Sequence, residues 1–246
     1  MRITLSFDGV EGSLRLPIHY NHILQGFIYD NISQKLASFL HEQGYIHGKR
    51  SFKLFTFSRL YGKFRLNRDS IDFESPVHFY IASSDSHFIQ EFAESLIKAG
   101  NVKLGRQLIR VSSIEVYPNQ KFNKEVIINT LAPITVYSTL NTRAGKKKTY
   151  YYSPYEKEFS ELIADNLRKK FELVYHKEPG SRNLVIELIK NGKRVSEKVI
   201  KYKDFIVKGW MGKFKLKGSL SLISVAYDTG LGSKNSQGFG MFEIVR

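Results

Sequence analysis

The order strand, helix, strand, strand, helix, strand occurs twice along this chain of 246 residues. It predicts an α+β fold of two tandem ferredoxin-like (βαββαβ) domains, ended by a C-terminal glycine-rich loop. Three observations carry the prediction. Apolar residues recur at three- and four-residue steps over 21–41, 86–98 and 154–171, as helices require. Period-two alternation fills the stretches between them. A short Pro118-Asn119-Gln120 segment separates the two runs, placing domains at 1–120 and 121–246.

In the first half, residues 2–7 alternate as a strand. Ile23, Leu24, Phe27, Ile28, Ile32, Leu36, Phe39 and Leu40 then mark a helical region that Ser33 divides and Gly44 ends. Strands are expected at 52–60, 77–82 and 108–117, with a hairpin-like region over 64–73 and a helix over 86–98 closed by Gly100. In the second half, strands are expected at 126–137, 205–216 and 241–245. Residues 184–189 and 195–200 read as a hairpin about Asn191-Gly192. Helices are expected at 154–171, with Pro154 in its first turn, and at 219–227. A single α+β sheet with two helical layers is the alternative architecture.

Composition narrows the function. Thirty-eight Lys and Arg against 23 Asp and Glu leave a net charge of +15, and the pI is near 9.7. Such a balance favours a polyanionic partner through counterion release from phosphates. The chain contains no cysteine, which excludes disulfides and thiolate metal sites and suits a cytoplasmic location. No long uncharged apolar run exists, so no membrane partner is expected. The opening MRITLSFDG alternates like a strand and lacks the apolar stretch of a signal peptide.

The glycine-rich stretch GLGSKNSQGFGMFEIV spans 230–245. Dinucleotide loops and P-loops join a strand to a following helix, and a P-loop ends in Lys before Ser or Thr. Here Phe239 follows Gly238, and only one strand's worth of chain remains after Gly240. The loop therefore sits between a helix and a final strand. Its N–H groups can form an anion nest, with Lys234, Asn235, Ser236 and Gln237 as side-chain donors, or it can be a turn that lets the last strand enter the sheet. Lys213, Lys215 and Lys217 share one face of an expected strand whose other face carries Phe214 and Leu216. Trp210 falls opposite those lysines unless Gly209 or Gly212 introduces a bulge. Arg143, Lys146, Lys147 and Lys148 precede Tyr150, Tyr151 and Tyr152. Lysines there can contact phosphate while a tyrosine stacks a base, or the segment is a solvated hairpin tip.

The terminal glycine pattern resembles the signature of the RAMP superfamily. LPIHYNHILQGFIYDNI, KLASFLHEQG and KLFTFS near the N-terminus are similar to the CRISPR-associated endoribonucleases that cut the repeat precursor (the Cas six family). The resemblance covers effectively the whole chain. It implies metal-independent cleavage of CRISPR repeat precursor RNA by 2′-hydroxyl attack, giving 5′-hydroxyl and 2′,3′-cyclic phosphate ends and so guide crRNAs. It also implies Tyr29, His41 and Lys53 as the catalytic set. His41 would do acid–base work, Tyr29 would orient the 2′-hydroxyl, and Lys53 would stabilise the phosphorane. Gly230, Gly232, Ser233, Lys234, Asn235, Ser236, Gly238, Gly240 and the Lys213, Lys215, Lys217 row are the expected RNA contacts, with RNA in a basic cleft. Lys49 or Arg50 is an alternative cation, and His47 a rival base. His41-Glu42 fails the zinc-protease pattern, because the next histidine is six positions on and beyond Gly44. The acidic residues are scattered and form no two-metal nuclease cluster, so no metal and no cofactor is expected. Further partner candidates are other Cas effector subunits and a second copy of the chain. The rival reading is a non-catalytic RAMP subunit that binds crRNA in an effector complex.

Overall fold

The computed structural model describes residues 1–118, 120–141, 145–189 and 195–245. Two compact units emerge: Met1–Gln120 with Ser236–Gly238, and Lys121–Asn235 with Phe239–Arg246. The tip of the glycine loop therefore groups with the first unit, not with the 121–246 segment expected to hold it.

The first unit is built on an antiparallel sheet in the order Phe55–Phe57, Val77–Ser83, Arg2–Gly9, Gln107–Val116, Asn101–Leu104. Helices Asn21–Asp30 and Ser86–Ala99 occupy the positions that βαββαβ requires. Ile3, Leu5 and Phe7 alternate inward to meet Phe27, Ile28, Phe88, Ile89 and Phe92 in one core. Asp85 caps the second helix by accepting from the His87 and Phe88 amides, and Gly100 ends it at φ 69°. The expected 64–73 hairpin is present as Phe64–Leu66 and Ser70–Phe73, joined on its far side by Leu14–Pro17. That last strand, Asn101–Leu104 and Tyr45–His47 were not expected.

The second unit repeats the topology with Leu184–Leu188, Lys213–Gly218, Glu125–Thr130 and Phe242–Val245 in that order. Helices Lys157–Tyr175 and Leu220–Thr229 cover it. Four local expectations change here. Leu184–Leu188 pairs with Lys213–Gly218, and Ser196–Tyr202 pairs with Phe205–Met211; the expected 184–200 hairpin is not formed, and its Asn191-Gly192 turn lies outside the described residues. The expected 205–216 strand breaks at Gly212, whose N–H donates to Thr130 Oγ1 at 2.9 Å and whose carbonyl accepts from the Thr130 N–H at 3.1 Å. The 126–137 strand ends at Thr130, and Tyr137–Asn141 forms a separate hairpin with Lys147–Tyr151. The long helix starts at Lys157, so Pro154 belongs to the preceding turn. Trp210 is buried edge-on to Phe159, 6.1 Å between ring centres.

Candidate functional site

The helical region of the first unit breaks where its sequence suggested. Asn21–Asp30 stops, and Ser33 Oγ accepts from the Leu36 N–H to start Gln34–Ser38. The next turn, Phe39–Gln43, widens into a π-helix, a local form often found at functional sites. Leu40 is buried, and Phe39 packs edge-on against Tyr45 at 5.3 Å. These two anchors turn His41, Glu42 and Gln43 outward to solvent. The Gly44 N–H donates to the Phe39 carbonyl at 2.7 Å and closes the turn.

Gly44 then lets another chain segment come close. Its φ and ψ of 64° and −161° lie in a region that side chains other than hydrogen rarely tolerate. A Cβ there would sit 2.5 Å from the Phe52 carbonyl oxygen and 2.9 Å from both Cδ and Nζ of Lys53. Lys53 is thus laid across the end of the histidine's turn. Its Nζ donates to Ser51 Oγ at 3.2 Å, and Ser51 Oγ donates to the Gln43 carbonyl at 2.5 Å. Two bonds connect the ammonium to the turn that presents the imidazole. Burial holds the Lys53 pKa below that of an ordinary lysine.

Tyr29 lies in the last turn of Asn21–Asp30, half-buried, with its ring edge-on to Phe55 at 6.2 Å. Phe55 follows Lys53 by two residues and opens a core strand, so tyrosine and lysine are fastened to the same stretch of chain. The 44–51 segment folds into the hairpin Tyr45–His47 and Arg50–Phe52. His47 pairs with Arg50 across it, and Lys49 occupies the exposed loop. Tyr45 donates to Asp85 Oδ2 at 3.1 Å; burial first, and then Asp85, push its pKa up to about 12. Sequence reasoning missed Ser51, because a lone serine before a strand carries no signal. It read Gly44 as a stop without reading the close approach that Gly44 permits.

In the second unit, Lys170 organises the glycine loop. Its buried Nζ donates to the Thr229 and Gly230 carbonyls at 3.2 and 2.8 Å and to Asn235 Oδ1 at 2.7 Å. Asn235 Nδ2 in turn donates to the Leu231 and Phe239 carbonyls, each at 3.0 Å. Desolvation lowers the Lys170 pKa to about 7. The Gly230 and Gly240 amides donate to the Ala226 and Pro133 carbonyls. Gly230, Gly232, Asn235, Gly238 and Gly240 are all buried. The amides of Gly230 and Gly240 and the Asn235 side chain therefore have partners inside the protein. Ser233 and Lys234 stay partly exposed. Lys234 Nζ lies 5.3 Å from the centre of the Tyr137 ring, and burial lowers its pKa.

At the loop tip, within the first unit, Asn21 Nδ2 donates to the Gln237 and Gly238 carbonyls at 2.9 and 3.2 Å, and Gln25 Nε2 to the Ser236 carbonyl at 2.6 Å. Gly238, at φ 84°, presses so closely on Phe57 and Asn21 that a Cβ would meet each at 2.6 Å.

The lysine row forms as expected: Phe214 and Leu216 are buried, while Lys213, Lys215 and Lys217 face out. Lys215 and Lys217 both pair with Glu125, at 2.7 and 3.4 Å. In the tyrosine hairpin, Tyr150 donates to Glu156 and Tyr151 to the Ile206 carbonyl; Arg143 lies outside the described residues. Among the described residues, no group of three or more His, Asp or Glu side chains is placed to hold a metal ion. No described helix is long and apolar enough to cross a membrane.

Comparison with known proteins places this architecture. The family description "CRISPR-associated protein Cas6, N-terminal" matches residues 15–115, and "CRISPR associated protein Cas6, C-terminal" matches 115–244. A Methanocaldococcus jannaschii protein named CRISPR-associated endoribonuclease Cas6 1 is 30% identical over 98% of this chain and 91% of its own length. A Pyrococcus furiosus protein named CRISPR-associated endoribonuclease Cas6 is 30% identical over 98% and 88%. A solved structure described as CRISPR associated protein Cas6 superposes with a TM-score of 0.80 at 27% identity, covering 100% of this chain and 99% of that one. Two family matches that together run from residue 15 to residue 244, on a doubled ferredoxin-like fold, make the chain a member of the Cas6 family.

Proposed function

We propose that this Cas6-family endoribonuclease cuts CRISPR repeat precursor RNA without a metal ion, by attack of a ribose 2′-hydroxyl on its own 3′-phosphate. The 2′-hydroxyl gives up its proton, its oxygen bonds to phosphorus, and the P–O5′ bond breaks. The departing 5′-oxygen takes up a proton, leaving a 5′-hydroxyl and a 2′,3′-cyclic phosphate. His41 supplies acid–base catalysis near neutral pH. Lys53 stabilises the charge that builds on the phosphorane. Tyr29 orients the attacking hydroxyl. Ser233, Lys234 and Ser236 of the loop, with the Lys213, Lys215, Lys217 row, hold the RNA backbone.

The single observation that supports this reading most is the Lys53–Ser51–Gln43 connection, which fastens a half-buried ammonium to the turn presenting an exposed imidazole. The names of the curated relatives support the endoribonuclease activity. The test is incubation with the host's repeat RNA in EDTA, followed by end-group analysis. Cleavage yielding cyclic phosphate ends is expected, with no cleavage when the scissile 2′-hydroxyl is replaced by hydrogen. Cutting of that deoxy substrate would show that water is the nucleophile and would overturn the mechanism.

A further inference from the structure

Outside the site described above, the hairpin Phe64–Leu66 and Ser70–Phe73 of the first unit has a surface that the catalytic reading does not use. Phe64 faces Phe73 and Leu66 faces Ile71 across the ladder. Phe73 and Ile71 are buried, but Phe64 is 59% exposed and Leu66 63%. Phe64–Leu66 is the edge of its three-stranded sheet, so the apolar face simply runs past the core into solvent. The Phe64 ring is nonetheless held in place, 5.8 Å from the Phe73 ring. Around it the chain is cationic: Arg59, Lys63, Arg65 and Arg68 fall in ten residues without an acid. Lys63, Arg65 and Arg68 are exposed. Asp72, opposite Arg65, is already engaged by two bonds from Arg15, at 2.7 and 2.9 Å.

We infer that this edge is a second RNA-contacting surface, on which an unpaired base of a single-stranded segment stacks against Phe64 beside Leu66 while Arg65, from the opposite face of the same edge strand, Lys63, just before that strand, and Arg68, from the bend that follows it, reach round to the adjoining phosphates. The inference rests on the chain being an RNA-binding Cas6 protein. A preset aromatic ring flanked by cations is the arrangement that holds single strands without reading their sequence. A protein strand added to the same edge fits less well. The edge is three residues long, and short edges flanked by cations discourage strand pairing. An RNA strand needs only the ring and the charges.

The test uses the full chain and labelled repeat RNA, with affinity measured by fluorescence anisotropy over a salt series. Phe64→Ser is expected to weaken binding by about tenfold or more, in keeping with one lost stacking contact. The triple change Lys63→Gln, Arg65→Gln, Arg68→Gln is expected to reduce the slope of log affinity against log salt by about 2, at roughly 0.7 per phosphate for a single strand. Both variants should cleave saturating RNA at the parent rate, which separates lost contact from lost folding. Parent-like affinity and slope in both variants would overturn the inference; a surface that serves a protein partner gives that result. A parent chain that binds no RNA would overturn the underlying reading and this inference with it.

Discussion

Gly44→Ala tests the catalytic assignment more sharply than removal of any catalytic group. The new methyl carbon would lie 2.5 Å from the Phe52 carbonyl oxygen and 2.9 Å from Lys53 Cδ and Nζ, where ordinary contact begins near 3.4 Å. Relieving both overlaps moves the lysine, or the strand that carries it, by about half to one ångström. Displacements of about 1 Å at a reacting centre can cost roughly 10²-fold in rate. The backbone at φ 64° and ψ −161° adds an expected loss of about 1–3 kcal/mol of stability. The assay is single-turnover cleavage of saturating repeat RNA in EDTA, paired with anisotropy for affinity and thermal unfolding for stability. A rate fall of about 10²-fold with affinity held within a few-fold is expected. A folded Gly44→Ala protein that cleaves at the parent rate would refute the claim that the Lys53 ammonium must stay against the histidine's turn.

Three other outcomes are expected. His41→Ala should lower the single-turnover rate by about 10²–10⁴-fold while RNA affinity stays near that of the parent, as judged by end-group analysis and anisotropy. In the proposed mechanism Lys53 acts in its charged form, and burial lowers its pKa, so the cleavage rate should fall on the alkaline side at a lower pH than an ordinary lysine would give. Lys53→Arg, which stays charged, should remove that alkaline fall from the pH–rate profile. Lys170→Met leaves the Thr229, Gly230 and Asn235 acceptors without their donor and should cost about 1–3 kcal/mol in denaturant unfolding. Lys170 has a pKa of about 7 in the fold against 10.5 for an ordinary lysine. Between those values the unfolded chain holds more protons, so the parent gains stability as pH rises. Methionine does not titrate, and the gap between parent and variant should widen from pH 7 toward pH 9.

The doubled βαββαβ order was legible because its evidence is local: helical and strand periods are written in consecutive residues. Pairing is not local. Asn191-Gly192 between two strand-like runs looked like a hairpin, yet Leu184–Leu188 is claimed by Lys213–Gly218, about thirty residues on. Joining a four-stranded sheet as its edge strand buries more apolar surface than a free hairpin does. The break near Ser33 was readable from capping chemistry, whereas the π turn around His41 leaves no mark in residue type. The glycine loop divided the same way. Its position between a helix and a last strand followed from order alone. That Lys170, some sixty residues earlier, consumes its carbonyls and the Asn235 side chain could not, because nothing in a helix's lysine announces a buried partner.

The three residues Ser236–Gly238, which group with the first unit, give its assembly a timetable. A ribosome releases the first 120 residues long before it reaches the piece that accepts the Asn21 and Gln25 amide hydrogens and covers Phe57. Domains ordinarily fold as they emerge. This one is completed only when Ser236–Gly238 reaches it, because until then the Asn21 and Gln25 side chains lack those acceptors.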